Sequence, residues 1–555
     1  MVRLNQQYKQ TVVEKKQPAN YYVIPSSFSI LNHHASSWPP HDTYRVIRPP
    51  KLSGIESENM TIPDNNKTVG CWSGLRALIL RKNKGQKAAR VSLSTRSLSD
   101  KKAEALENNT GAQNTPPEYC APPYNNTQFP AKAKHGPESS SSGGVHVPHK
   151  LPSPAAANTS DHAIDKSNGS LRELSLQIHD HPELRWDVKY AHDMLTRFVE
   201  ERGFQVTRQY LADQLPGNTA WKAEFVIPDE SGKPLPVIGL NSEMDALPGI
   251  GHACGHNLIA IVGVTTALGL KAAMEEHKIP GKIVLLGTPA EEGGEGKVHL
   301  LKAGAYKEMD ICLMAHPITG GDRLVQTTTT LALQTFEVEY HGQGAHAGAA
   351  PWEGRNALDA AFVAYTALSA LRQQIHPTAR VHGIIEGRDW ASNVIPNYAK
   401  MRYTVRAPTW SEVVALRARV NRCFEAAAHA TSCTMTVTEK EGMKDVRVNE
   451  ILAHELGAIM TDRYDHPFSS EGSIGGSTDF GSVTYELPAL HPMFALSTVP
   501  NGGNHTPEFT AAARTQEAHE RAIIVSKGLA TLGLRALLDE EFLSTIKSEF
   551  GRDLL

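Results

Sequence analysis

The chain has 555 residues, with 56 Lys+Arg against 59 Asp+Glu and a formal net charge of −3. Near-neutral charge argues against a protein devoted to nucleic-acid phosphates or anionic membrane, and six cysteines in this length make no disulfide scaffold. Hydrophobic residues make up 40%, enough for a sizeable core but low for a fully compact enzyme, so part of the chain is expected to lie outside the core.

In chain order, Val2-Arg3-Leu4-Asn5-Gln6 lacks the apolar centre of a secretory signal. No run of about eighteen uncharged apolar residues stands out as a membrane span. The expected compartment is the reducing cytoplasm, with neither membrane nor nucleic acid as a partner. Residues 1–167 combine polar runs such as Ser139 to Ser142 with nine prolines between Pro116 and Pro154, and they read as a disordered, low-complexity arm. From Leu171 the pattern becomes globular. Leu171, Leu174 and Ile178 begin a helical stripe that resumes through Ala191, Leu195 and Phe198 and stops at Gly203. Strand-like runs follow at Val237 to Leu240, Lys282 to Gly287, Ile311 to Met314 and Met493 to Leu496, with an apolar helix from Ile259 to Met274. Strands alternating with helices indicate an α/β layered sheet. Between them, Leu331 to Tyr340, Ala357 to Gln374, Ala399 to Val405, Trp410 to His429 and Cys433 to Val437 give a β-α-β-α-β rhythm. That rhythm reads as an inserted α+β unit over 327–441, between catalytic segments 168–326 and 442–555.

Four local patterns carry chemistry. Gly251-His252-Ala253-Cys254-Gly255-His256 holds a cysteine and a histidine two apart, which can point at one metal ion. Taken alone, the pair is more readily a buried thiol beside loop histidines, and a cysteine nucleophile is also open. Next, Pro289-Ala290-Glu291-Glu292-Gly293-Gly294 places two carboxylates just past a core strand, where a cation relieves their repulsion and lost hydration. One carboxylate can ligate while the other takes a proton from metal-activated water. His316 ends the third strand, and His505 lies in the glycine-rich Asn501 to Glu508 loop. Either histidine alone is unremarkable. Jointly, Cys254, His256, Glu292, His316 and His505 all follow predicted strands, expected to belong to one sheet, and ligands gather at strand carboxyl ends in open α/β folds. Five ligands and a spare Glu suit a two-metal hydrolase.

Ser242-Glu243-Met244-Asp245-Ala246-Leu247-Pro248, with His252-Ala253-Cys254-Gly255-His256 and Pro289-Ala290-Glu291-Glu292-Gly293, resembles the M20 metallopeptidases and, within them, the amidohydrolase branch. Asn257 and Gly476-Ser477-Thr478-Asp479-Phe480-Gly481 are most similar to the subgroup of M20 domain-containing protein 2, described as dipeptidases of unusual dipeptides such as β-alanyl-lysine. The resemblance runs from about Leu171 to near Leu537, and the arm has no counterpart in it. It implies a zinc-exopeptidase-like α/β catalytic domain with an inserted α+β lid domain.

The resemblance also implies roles. Cys254, His256, Glu292, His316 and His505 match the metal ligands, Glu291 the general base, and Asp245 an acid behind the site that orients a ligand. His252 stays outside this set as a loop histidine. His346, in Gly342-Gln343-Gly344-Ala345-His346-Ala347, matches a lid histidine that supports the developing oxyanion, supplied by the partner protomer in dimeric members. Asn393 matches a lid residue near the substrate, and Arg388 is a candidate for the substrate carboxylate. Glu295 interrupts the glycine run common after the Glu pair, and it is expected to face solvent. Two divalent ions are implied. Thiolate and imidazole favour Zn2+, with Mn2+ or Co2+ as alternatives. The expected function is hydrolysis of the amide bond of a dipeptide or N-acyl-amino acid, with a homodimer through the lid. An aminobenzoyl-glutamate-type amidohydrolase and a non-catalytic binding protein retaining the fold are the competing readings.

Overall fold

The segment Lys282-Ile283-Val284-Leu285-Leu286 is apolar at every position after its lysine, the signature of a strand covered on both faces. In the computed structural model, which describes residues 153–553 apart from 322 and 471, this strand (Gly281–Thr288) lies inside a six-stranded mixed sheet. The sheet order is Gln205–Thr207, Trp221–Ile227, Gly281–Thr288, Val237–Glu243, Ile311–Leu313 and Ala489–Leu490. In that order the first two pairings are antiparallel and the remaining ones parallel. Ile283, Leu285, Ile311 and Leu313 face one core, shared with the helices Pro154–Asp180, His256–His277 and Gln516–Leu538. Val284, Leu286, Cys312 and Met314 face the other, against Leu300, Tyr306, Phe480 and Val483.

A second, four-stranded sheet runs Phe468–Ser469, Val325–Gln326, Met493–Leu496, His316–Thr319. The expectation that all the site strands share one sheet is therefore corrected. His316 opens a strand of this second sheet, and His505 follows another, because the chain breaks at Met314-Ala315 after only three residues of central strand.

The inserted unit is a four-stranded antiparallel sheet in the order Thr434–Glu439, Ala332–His341, Tyr398–Ala407, Arg380–Gly387. Its helices Ala357–Leu371 and Trp410–Thr431 cover one face, where Phe336, Val338, Tyr340, Met401, Tyr403 and Val405 are buried. The intervening positions are polar, as in the Lys400–Glu337 pair at 2.7 Å. The rhythm is thus β-α-β-β-α-β rather than β-α-β-α-β. The strand missing from the sequence reading, Arg380–Gly387, is an edge strand with mostly exposed residues and an internal Gly383, so it carries almost no apolar alternation. The first lid helix also ends earlier, at Leu371, with Arg372–Gln374 as a 3₁₀ turn.

The arm expected over 1–167 lies outside the described residues as far as 152. From Pro154 the chain is helical to Asp180, so the folded part starts ahead of the expected boundary. Apolar periodicity does not show this helix, because its first half buries small residues, Ala156, Ala157 and Ser160, with Ile164 as its first large anchor. That half packs on the helix His256–His277, where Gly269 leaves room for Ser160 and Ile164. The latter helix has the length and apolarity of a membrane span, but it is largely buried inside the protein, as expected of a core helix.

Truncation of residues 1–152, which carry no site motif, is expected to leave turnover per folded molecule unchanged. Truncation through 167 exposes the core under Ile164 and is expected to lower the midpoint of chemical unfolding. Ile164→Ala alone is expected to cost about 2–5 kcal/mol. Equal unfolding midpoints for the two truncations would show that the first half of the helix is dispensable.

Candidate metal centre

Three loops at strand ends and one long return from the C-terminal segment build the site. After the strand Val237–Glu243, the chain turns through Gly255, whose φ of +77° is left-handed and whose added Cβ would lie 2.5 Å from Pro317 Cγ. Only glycine fits, and this turn sets Cys254 and His256 facing His316. Asn257 anchors it from behind, donating to Ser175 Oγ at 3.0 Å and to the Ala513 carbonyl at 3.2 Å. After the strand Gly281–Thr288, Ala290 and Glu295 both adopt left-handed φ, of 65° and 46°. The Glu291-Glu292 turn between them is thus a strained segment of the kind that collects at functional sites.

The side chains converge. Cys254 Sγ lies 3.4 Å from His316 Nε2, while His316 Nδ1 is held by the Pro317 carbonyl at 2.8 Å. His505 Nε2 lies 3.2 Å from Glu292 Oε1. Two groups with ligand atoms within 4.8 Å of one another share one thiol: Cys254, His256, His316 and Cys254, Glu292, His505. Asp245 stands behind them. Its two oxygens accept from the backbone N–H groups of Glu291 and Glu292 at 3.1 and 3.0 Å, and Oδ1 lies 3.5 Å from His256 Nδ1.

The electrostatics separate the paired glutamates. Burial, then the negative charges of Glu243, Glu292 and Asp479, raise the Glu291 carboxyl well above its ordinary range. Glu292 is held low: burial works against ionisation, but the hydrogen bond to His505 and the charge of His256 outweigh it. Two adjacent carboxyls pushed apart in this way are suited to different jobs, proton carrier and anionic ligand. Burial would raise the Cys254 thiol, yet the charge of His316 and the ring N–H groups of His256, His316 and His505 bring it down to about 5. A thiolate is the form that binds metal. Both ring nitrogens of His256 are buried without a well-formed hydrogen bond. Their orphaned state and the donor set of one thiolate, three imidazoles and a carboxylate fit a pair of divalent ions.

All of Cys254, His256, Glu291, Glu292, His316, His505 and Asp245 thus come together. The lid residues do not join them within one chain. His346 is exposed, and its Nδ1 accepts from the amides of Gly348 and Ala349 in its own loop. Asn393 lies beside it, through the Ala347 N–H to Asn393 carbonyl bond of 3.0 Å and the His346–Val394 bridge. Arg388 is exposed and stacks over the Tyr398 ring at 4.2 Å. His252 is fully buried, and burial with nearby His256 and His179 holds it neutral, down to about 3. Glu295 does not face solvent as expected. It is half-buried, and burial together with Asp479 and Glu441 pushes it up to about 7.

Sequence reasoning missed three residues under the site. Lys297 is completely buried, with Nζ 2.5 Å from Glu243 Oε1 and 2.6 Å from Asp479 Oδ1. Glu243 and Asp479 lie inside the runs that carry the resemblance, and the sequence reading gave neither a role. The available signal was a lysine directly ahead of the apolar positions Val298, Leu300 and Leu301.

The chain is similar to known proteins in both sequence and fold. The family pattern described as "Peptidase dimerisation domain" matches residues 330–432, the lid. The chain is 40% identical over 399 residues to the Xaa-Arg dipeptidase of Mus musculus, covering 70% of this chain and 90% of the relative. It is 26% identical over 465 residues to one component of the p-aminobenzoyl-glutamate hydrolase of Escherichia coli, covering 70% of this chain and 93% of that one. Among solved structures, a dinuclear metal-binding peptidase of the M20 family from Bacillus subtilis superposes with a TM-score of 0.52 at 20% identity, covering 67% of this chain and 99% of that chain. The chain therefore belongs to the M20 family of metallopeptidases and is a hydrolase of that family.

Proposed function

We propose that the chain is a dinuclear metal dipeptidase, and the observation that carries this reading is the pair of three-residue ligand groups sharing Cys254 beside Glu291. Cys254, His256 and His316 would hold one ion and Cys254, Glu292 and His505 the other, with zinc preferred because thiolate and imidazole are its favoured donors. When bound, the ions supply Lewis acidity that activates water and polarises the scissile carbonyl. The chain's own residues do the rest. Glu291, whose carboxyl has an elevated proton affinity, takes the proton of the attacking water and hands it to the leaving nitrogen. Asp245 sets the direction of the Glu291-Glu292 turn and faces His256 Nδ1 at 3.5 Å from behind.

The substrate is a dipeptide with a basic C-terminal residue, a reading supported by the 40% identity to Xaa-Arg dipeptidase over 90% of that protein. The non-catalytic alternative is disfavoured because it gives no reason for a buried proton-carrying Glu beside a complete ligand set. A homodimer through the lid completes the site. The outer face of the helix Ala357–Leu371 exposes Phe362, Val363 and Tyr365, and the edge strand Arg380–Gly387 exposes Ile384. A second copy placed there covers an apolar patch and an unpaired strand edge. Its His346 then serves the first copy's site. The cytoplasm is the proposed compartment, since the described cysteines Cys254, Cys312, Cys423 and Cys433 are all free.

Glu291→Gln is expected to retain metal while kcat falls at least about 10²-fold, the scale of lost general-base catalysis. Glu292→Gln and Cys254→Ala are expected to lose metal, measured by elemental analysis of the purified proteins. Full metal content with abolished turnover in Cys254→Ala would favour the nucleophile reading instead. In a panel of dipeptides ending in Arg or Lys and of aminobenzoyl-glutamate, the basic dipeptides are expected to give the higher kcat/KM. Preferential cleavage of aminobenzoyl-glutamate would overturn the substrate assignment.

His346→Ala is expected to lower kcat by about 10²–10³ with metal unaffected, as for loss of one oxyanion donor. Mixing His346→Ala with Glu291→Gln is expected to restore activity that neither variant has alone, since one site of the mixed dimer is then intact. A mixture as inactive as its parts would exclude delivery of His346 across the dimer.

A further inference from the structure

Beneath the ligand cluster lies a second set of acids. Carboxylate oxygens of Glu243, Glu291 and Asp479 come within 4.8 Å of one another, and all three residues are buried. Packed together away from bulk water, such groups repel to the extent that they are ionised, and a cation among them relieves the repulsion. The chain supplies one. Lys297 Nζ is 2.5 Å from Glu243 and 2.6 Å from Asp479, and the Lys297 backbone N–H donates to the other oxygen of Asp479 at 2.8 Å. Asp479 therefore grips this residue by both its backbone and its side chain. The second oxygen of Glu243 lies 3.3 Å from His256 Nε2. A continuous chain of charged contacts thus runs from Asp479 in the C-terminal segment, through Lys297, to the Cys254–His256 turn.

We propose that Lys297 is a positioning residue: its ammonium is the permanent counter-ion of Glu243 and Asp479, and it holds the Glu291-Glu292 turn and His256 in the geometry that receives the metal ions. This rests on the dinuclear reading above. Lys297 has no exposed surface, so it touches neither solvent nor substrate. It lies at the start of the short helix Gly296–Lys302, directly after the strained turn. Gly296 permits this close approach, because a Cβ there would lie 1.8 Å from the Pro289 carbonyl oxygen. A displaced ammonium therefore drags the turn that carries both glutamates. Unlike a bound ion, a covalently attached cation stays in place when metal leaves, so the frame of the site persists in the metal-free protein.

The test compares wild type with Lys297→Met, Lys297→Arg and Asp479→Asn in the full-length chain. Zinc affinity is measured by competition with a chromophoric chelator, alongside kcat, KM and thermal unfolding. Lys297→Met is expected to weaken zinc binding about 10- to 100-fold, the usual effect of removing a partner behind a metal ligand, and to lower kcat with KM little changed. Lys297→Arg, which keeps the charge, is expected to lose less, and Asp479→Asn, which removes one of two anchors, to fall between. Variants that melt earlier yet bind zinc and turn over like wild type, per folded molecule, would reduce Lys297 to a structural role and overturn the proposal. If Lys297→Met does not fold, Asp479→Asn decides: unchanged zinc affinity in that variant overturns it. A wild-type chain that binds no divalent ion would instead sink the dinuclear reading on which the proposal stands.

Discussion

One carboxylate organises the centre. Asp245 accepts the backbone N–H groups of both Glu291 and Glu292 and faces Nδ1 of His256, so a single side chain ties the turn after one strand to the turn after its neighbour. Two backbone donors aimed at one carboxylate side chain give it two fixed anchors. The consequence is geometric. Both glutamates are fixed by their backbones, which frees their side chains to point in different directions. One faces His505 and the thiol, the other the acids beneath. A turn held only by its own hydrogen bonds could not keep three left-handed residues, Ala290, Gly293 and Glu295, in register.

That division explains how two chemically identical residues come to differ. Glu291 is surrounded by negative charge, with His256 no nearer than 3.9 Å, whereas Glu292 has His505 at 3.2 Å. The same low-dielectric surroundings raise the proton affinity of a poorly paired carboxyl and lower that of a well-paired one.

The candidate ligand residues were readable in the sequence only jointly, from several short motifs at strand ends and the family resemblance, since none of the motifs alone implies convergence. Cys254 and His256 share one turn, and Glu291 and Glu292 share another. What joins the turns was not readable. Lys297 and Asp479 are 182 residues apart, and no local pattern announces a pairing between them. Strands with apolar alternation were visible on inspection, while Arg380–Gly387 was not, because an exposed edge strand places few demands on its side chains. The early turns of the helix Pro154–Asp180 were hidden for a related reason: Ala and Ser bury well against another helix without producing an apolar stripe. Splitting the site strands between two sheets was likewise beyond periodicity, since Ile311 to Ile318 is one nearly continuous apolar run in sequence.

The placement of the lid has a consequence for how the molecule is made. The central sheet is completed by Ala489–Leu490, which pairs with Ile311–Leu313 only after the whole inserted unit has intervened. During vectorial synthesis, the lid's four strands, Ala332–His341 to Thr434–Glu439, all emerge before the sixth central strand exists. Domains commonly fold as units as they leave the ribosome. The nascent chain must therefore carry a finished lid on an unfinished sheet, whose Ile311–Leu313 edge stays unpaired until residue 489 has been added. Because His505 and Asp479 follow the lid in sequence, the candidate metal site cannot assemble until that later segment has joined the first.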